Sequence, residues 1–366
     1  MKNSKYYLSL FLKFLPILEK MKITSAMADG LIYTYYTKEP YYRTYEILEK
    51  NGKIRKIDEP CDALKLIQQE LNRYFYRFPT HKSLKAYIEN CEGAKETALT
   101  HQFTVWGAKP GDRQSKPPRW LLKMDLKDFF PSIKTRTVEN VLFLNFLRDK
   151  DNQQLLIRLS EKLNKKFGLL FKQFIELLIW LTAGNGCLTQ GAPTSPYLAN
   201  LVWTESGVIE KILDYLHSRK KEFNLAIYAD DISVSFLERK YPRGVIKNIA
   251  KIINDSEYFK INPKKTKLNR LKHGAHLVVG ISIGKTSHFE PSFGIPQKFI
   301  NTLRGELHKT ITIIKTETRP IEQIHEVSIP MMRGKIGWVK SVYGDRRLPS
   351  KIKKLVEEFE ILSRII

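Results

Sequence analysis

Leu225-Ala226-Ile227-Tyr228-Ala229-Asp230-Asp231-Ile232-Ser233-Val234-Ser235-Phe236 is the stretch on which the reading of this chain turns. Ile232, Val234 and Phe236 alternate with Ser233 and Ser235, the period of a half-buried strand, and Leu225 to Ile227 supplies a second β-rich run. The pair reads as a hairpin with Asp230 and Asp231 at its tip. Two adjacent carboxylates disfavour each other's ionisation unless a cation neutralises them. A hard divalent ion with oxygen ligands, typically Mg²⁺, is the simplest neutraliser. An Asp-Asp pair is also an ordinary solvated turn, so a third carboxylate and groups that handle phosphate must be sought elsewhere.

Leu121-Leu122-Lys123-Met124-Asp125-Leu126-Lys127-Asp128-Phe129-Phe130 is the second constellation. An apolar strand carries Asp125 to its C-terminal end, where the reactive groups of sheet-based sites gather. Asp125, Asp230 and Asp231 make a triad able to hold two Mg²⁺ ions, with Mn²⁺ as a substitute, for phosphoryl transfer. Asp128 is the competing acid and reads better as a capping or solvated residue; Phe129 reads as core. The third constellation is Gln190-Gly191-Ala192-Pro193-Thr194-Ser195-Pro196, leading into a helix that Thr194 or Ser195 can cap. A polar loop at a helix start suits a phosphate or a sugar–base edge, and equally an ordinary capping turn.

Composition agrees with a polyanionic partner. The 366 residues carry 62 Lys and Arg against 38 Asp and Glu, an excess of 62 − 38 = 24 spread along the chain. That length calls for two or three subdomains. Cys61, Cys91 and Cys187 are odd in number and far apart, which suggests a reducing compartment and neither a disulfide framework nor a zinc site. The apolar run Tyr6 to Leu18 is interrupted by Lys13 and Pro16, and reads as an amphipathic helix of a cytoplasmic protein with no membrane partner.

Along the chain, a helical stretch reaches about Gly30. Tyr45 to Ile47 and Lys53 to Ile57 flank an Asn51-Gly52 turn as two short strands. A helix follows from Asp62 to about Phe78, and Val105 to Arg119 is a basic loop. Thr137 to Trp180 reads as two helices parted near Asp149 to Asn152. The residues from about Gln297 onward are basic and mostly helical.

Asp-x-x-x-Phe-Phe, Gln-Gly-Ala-Pro-Thr-Ser-Pro and Tyr-Ala-Asp-Asp, in that order, resemble the palm motifs of reverse transcriptases. The run Ala192-Pro193-Thr194-Ser195-Pro196 with Leu198-Ala199-Asn200 is most similar to bacterial retron enzymes. The resemblance extends from about Tyr45 to about Gly344. It implies an α+β right-hand polymerase with an antiparallel-sheet palm, fingers and a helical thumb. The divisions expected are an N-terminal helical extension (1–44), fingers with a basic loop (45–120), a palm with interleaved fingers helices (121–296) and a thumb (297–366).

By that resemblance Asp125, Asp230 and Asp231 are the catalytic, metal-binding acids. Phe130 is the steric gate against a ribose 2′-hydroxyl, and Gln190 and Gly191 line the nucleotide pocket. Lys53 and Arg55 grip the triphosphate, and Lys265, or else Lys264, protonates the leaving pyrophosphate. His101, Arg304, His308, Arg333, Lys335 and Trp338 become nucleic-acid contacts, although packing in the thumb core is the preferred reading of Trp338.

Two elements are altered relative to the retron pattern. Thr97-Ala98-Leu99-Thr100-His101 has Thr where Asn is usual, and Val278-Val279-Gly280 has Val where Thr is usual. The implied partners are dNTPs, a structured non-coding RNA that is template and primer, its DNA product, and an effector protein of an antiphage defence. A defence polymerase of the abortive-infection type, a group II intron-like enzyme and an inactive RNA-binding scaffold are the alternatives.

Overall fold

The computed structural model describes residues 4–48, 52, 54–101, 118–183, 186–271, 274–285, 291–316, 329–344 and 347–365. Lys53 and most of the expected basic loop, residues 102–117, lie outside them. Helix α1 (Ser4–Leu18) buries Leu10, Phe11, Phe14, Ile17 and Leu18, the three-and-four spacing of an amphipathic helix. A 3-10 turn at Glu19–Met21 and α2 (Ser25–Tyr36) follow. Strands β1 (Tyr42–Leu48) and β2 (Ile54–Pro60) pair antiparallel, Tyr45 opposite Ile57 and Ile47 opposite Arg55. This is the expected hairpin, begun three residues earlier, with Gly52 at φ +82 in its turn. Next come α3 (Asp62–Phe75) and the short α4 (Ala94–Thr100).

After β3 (Trp120–Leu126) and the single turn α5 (Phe129–Ser132), the stretch expected as two helices forms three: α6 (Thr135–Arg148), α7 (Lys150–Lys162) and α8 (Phe167–Thr182). The first break lies where expected, and the Asp149 side chain accepts hydrogen bonds from the Asp151 and Asn152 amides as cap of α7. The second break comes at Asn164, whose φ of +48 ends α7 in the left-handed conformation that Asn tolerates. Then follow α9 (Ser195–Glu205), α10 (Val208–Ser218), β4 (Phe223–Tyr228), β5 (Asp231–Phe236), α11 (Val245–Asn254) and β6 (Ile261–Arg270). Neither Thr194 nor Ser195 makes the expected cap to α9: the Thr194 hydroxyl points back to the Thr182 carbonyl, 3.5 Å away, and that of Ser195 is buried without a partner.

The palm sheet has the order β4-β5-β3-β6 with every neighbouring pair antiparallel. Most of its apolar residues join those of α1–α3 and α6–α11 in one core, while Leu121 of β3 packs in a second. A second core unites β7 (Gly274–Val278), β8 (Ile281–Lys285) and β9 (Pro291–Gly294) with α12 (Gln297–Thr316), α13 (Ile329–Tyr343) and α14 (Ser350–Ile365). Val278, Ile281 and Ile283 pack there with Leu303, Leu307, Val339 and Phe359. The small sheet thus shares its core with the thumb helices, although its residues fall within the span expected for the palm. No helix among the described residues is long and apolar enough to cross a membrane.

Candidate active site

The register of the palm sheet assembles the acids. Asp125, next to last in β3, is the direct partner of Asp231, the first residue of β5, and on its other side faces Asn262 of β6. Tyr228 pairs with Asp231, so Ala229 and Asp230 alone turn the hairpin. Ala229 does so at φ +55, a region that costs a side-chain-bearing residue about 1–2 kcal/mol. The Asp230 carbonyl accepts a hydrogen bond from the Leu126 amide at 3.0 Å, which ties the tip to the end of β3. Residues about one hundred positions apart in sequence thereby meet at one end of one sheet.

Each carboxylate has its own surroundings. Asp125 is buried, 8% exposed; its Oδ1 lies 2.9 Å from Lys265 Nζ, and its Oδ2 accepts a hydrogen bond from Asn262 Nδ2 at 3.2 Å. Burial, followed by the negative charges of Asp230 and Asp125, pushes the Asp231 carboxyl up to about 6. Burial, then the charge of Asp125, also raises Asp230, against an opposing pull from Lys265 and Arg55. The hydrogen bond to Asp125 raises the Lys265 ammonium, with added support from Asp230 and Asp231. Carboxyls held above their ordinary range beside one another are what a divalent cation would relieve.

Among the described residues no three His, Cys, Asp or Glu side chains are disposed to hold a metal ion. Both oxygens of Asp125 are engaged by Lys265 and Asn262. By donor chemistry the triad nevertheless fits a hard divalent cation: all-oxygen ligands, Asp125 and Asp231 on facing positions and Asp230 next to them in the turn, with the Lys265 ammonium already acting there as a cation on Asp125.

The residues expected to line the nucleotide pocket are joined by backbone to β2. The Asp58 amide of β2 donates to the Gln190 carbonyl at 2.8 Å, docking the loop on the fingers hairpin. Gly191 sits at φ +121, and a Cβ there would meet the Asp58 carbonyl oxygen at 2.8 Å and Ile57 Cγ2 at 3.0 Å. Only glycine allows that approach. Arg55 is exposed on β2, and its charge reaches Asp230. Phe130 is half-buried and rests on Phe129, their rings 5.0 Å apart; Phe129 is core, as expected. Asp128 is exposed and makes no capping bond.

The expected nucleic-acid contacts divide. Arg304 and His308 are exposed on α12. Arg333 donates to the Ser363 carbonyl, and Lys335 pairs with Glu306 at 2.6 Å. Trp338 packs edge-on against Phe299, 4.8 Å between ring centres, and lies over Gly280 of the Val278-Val279-Gly280 turn. His101 is not at a surface. It is 1% exposed, with Nε2 at 2.7 Å from Ser233 Oγ and Nδ1 at 3.0 Å from Ser235 Oγ, so the ring is held inside the protein and reaches no nucleic acid in this arrangement. Strand β5 is correspondingly buried on both faces, where alternation alone predicts a solvated serine face. Asn262, Ser233 and Ser235 are the site residues the sequence reading left without a role. The two serines did carry a signal, being polar at every second position of an otherwise apolar strand.

Residues 47–290 match the family described as reverse transcriptase (RNA-dependent DNA polymerase). The chain belongs to that family. It is 26% identical over 278 residues to the retron Mx162 reverse transcriptase of Myxococcus xanthus, an overlap covering 73% of this chain and 52% of that one. To the retron Ec73 reverse transcriptase of Escherichia coli it is 29% identical over 249 residues, 67% of this chain and 70% of that one. The chain thus spans about half the length of the first relative. In three dimensions it is similar to apo telomerase from Candida tropicalis, with a TM-score of 0.45 and 13% identity over 88% of this chain and 62% of the other. The expected likeness to retron-type reverse transcriptases is found, on a fold of mixed helices and antiparallel sheets as a right-hand polymerase requires.

Proposed function

We propose that the chain is an RNA-directed DNA polymerase that copies a structured non-coding RNA. A 2′-hydroxyl of that RNA primes synthesis, and the product is a branched RNA–DNA hybrid (msDNA). The observation that carries this reading is the pairing of Asp125 with Asp231 beside Asp230 at one end of the palm sheet, in a chain of the reverse transcriptase family. The names of the relatives support the retron type; the branched product, and a place with an effector protein in an antiphage defence, are what the resemblance to retron enzymes implies.

Two Mg²⁺ ions, or Mn²⁺, held by Asp125, Asp230 and Asp231 would neutralise charge on the attacking and leaving oxygens. The chain's own residues do the rest. Gln190 and Gly191 form the floor of the nucleotide pocket against β2, and Phe130 excludes a 2′-hydroxyl from it. Arg55, with Lys53, binds the triphosphate as a charged clamp. Lys265 releases Asp125 and gives its proton to the departing pyrophosphate.

The test is Asp230→Asn combined with Asp231→Asn, which removes two carboxylates without changing side-chain size. Incorporation of dNTPs should fall to background while RNA binding persists; undiminished synthesis refutes the triad. Nucleic acid recovered with the protein from its host should be one defined RNA joined to complementary DNA. DNA of no defined template would favour the abortive-infection class instead.

A further inference from the structure

The segment from Ser83 to Tyr87, between α3 and α4, runs along the outer edge of β4. The Ile227 amide donates to the Ser83 carbonyl and the Lys85 amide to the Ile227 carbonyl, both at 2.8 Å. Leu84 and Ala86 are buried in the palm core. Asn200 of α9, itself buried, donates from Nδ2 to the Ala86 carbonyl at 2.7 Å. The Lys85 ammonium is tied to Glu96 of α4 at 2.5 Å. The backbone is thus fixed from three directions immediately before Tyr87.

Tyr87 itself adopts φ +57, in the left-handed region that a bulky side chain rarely enters. Such conformations persist only where the surroundings over-determine them, and they gather at ligand clamps and active sites. Internal packing does not account for this one: the residue is 42% exposed, and its hydroxyl makes no hydrogen bond among the described residues. Its ring stands beside that of Tyr228, 6.4 Å between centres, where the acidic turn begins. Burial, then the charges of Tyr228 and Asp230, raise its phenol, which places the ring within electrostatic reach of the triad.

The side of the acids on which Tyr87 stands decides what it meets. Lys265 approaches them from β6, at one edge of the sheet, and Tyr87 from beyond β4, at the other. In-line displacement puts the attacking and leaving oxygens on opposite sides of the reacting phosphate. With pyrophosphate on the Lys265 side, the end of the growing strand falls on the Tyr87 side.

We propose that the Tyr87 ring supports the 3′-terminal nucleotide of the growing strand, aligns its hydroxyl, and so checks the terminal base pair. The inference rests on the polymerase reading. An aromatic face accepts any base. A ring on a backbone that cannot relax tolerates little displacement, and a mispaired end is displaced.

The first arm of the test needs no turnover. A DNA strand with 5-iodouracil at its 3′ end, annealed to an RNA template, is bound to the full chain and irradiated. The label should join to Tyr87, and far less when placed in the template opposite. No adduct at Tyr87, or a stronger one from the template, overturns the proposal. The Asp230→Asn, Asp231→Asn variant should give the same adduct, so failure of the triad and failure of this contact are separable. The second arm measures incorporation on matched and mismatched 3′ ends, as a ratio that the fraction of active protein does not affect. Tyr87→Asn removes the ring with a residue suited to the left-handed region, and should lower the preference for matched ends by about fivefold or more. Tyr87→Phe keeps the ring and should stay within about twofold of wild type. An unchanged ratio in Tyr87→Asn, or an equal loss in Tyr87→Phe, overturns the role of the ring.

Discussion

His101 offers the most quantitative check on the packing behind the acids. The Ser233 hydroxyl donates to the Ala226 carbonyl at 3.1 Å, so it accepts from the imidazole Nε2–H, and Nδ1 accepts from Ser235. A proton on Nδ1 would reverse that last bond, leave the Ser235 proton to find another acceptor, and place a charge in the interior. Burial accordingly pushes the imidazole down to about 3 from an ordinary 6.5. Its contribution to stability is fully present above pH 6.5 and is lost as pH falls towards 3, because the unfolded chain takes a proton that the folded one refuses. At pH 5, about 1.5 units below the unfolded value, the loss is about 2 kcal/mol at ~1.4 kcal/mol per unit.

Asp231 runs the other way. Its raised carboxyl favours the folded state at low pH, an effect lost as pH rises through about 6. Comparing wild type with His101→Gln removes that opposing slope, since both proteins keep Asp231. Urea unfolding followed by tryptophan fluorescence at pH 5.0, 6.0 and 7.5, without divalent ions, gives the difference. The variant should be less stable at pH 7.5, and its deficit should shrink by about 2 kcal/mol on going to pH 5.0. A deficit constant to within about 0.5 kcal/mol, or an imidazole that titrates near 6.5 by NMR, refutes the interior placement.

Three further outcomes follow from the geometry. Gly191→Ala forces a methyl group against the Asp58 carbonyl in a backbone conformation costing about 1–3 kcal/mol, and should raise the KM for dNTPs about tenfold; an unaltered KM dissociates the docked loop from the nucleotide pocket. Phe130→Ala should narrow the preference for dNTPs over rNTPs by about tenfold in single-nucleotide incorporation, equivalent to ~1.4 kcal/mol, and an unchanged ratio removes Phe130 as the gate. Trp338→Ala should destabilise the second core by about 3 kcal/mol, seen as faster proteolysis within the thumb, with RNA affinity altered less than about twofold. A tenfold loss of RNA affinity without faster cleavage would instead make Trp338 a stacking contact.

The elements built on local pattern were legible. Alternation along Ile232 to Phe236, the apolar run carrying Asp125, the hairpin about Gly52 and the helix after Pro193 all stand within about three residues of where the sequence places them. Less was visible where local pattern reports burial but not the partner. Ser233 and Ser235 read as a solvated face because nothing nearby in sequence announces that α4 covers them with His101. The break between α7 and α8 was missed although Asn164 is a residue suited to φ > 0, because apolar periodicity continues on either side of it. The small β7–β9 sheet belongs by packing with the thumb, a matter of which buried faces meet.

The sequence by itself determined the acids, their order and the family, because a two-residue acidic hairpin, a strand ending in Asp and a Gln-Gly loop are local patterns carrying their own chemistry. Only the tertiary structure decided what those groups touch. Lys265 lies on Asp125, Asn262 holds the second oxygen, and Gly191 lets a loop close on a strand some 130 residues earlier, through Asp58. Such contacts follow from strand register and helix packing, and those are settled by the joint burial of surfaces that are remote along the chain.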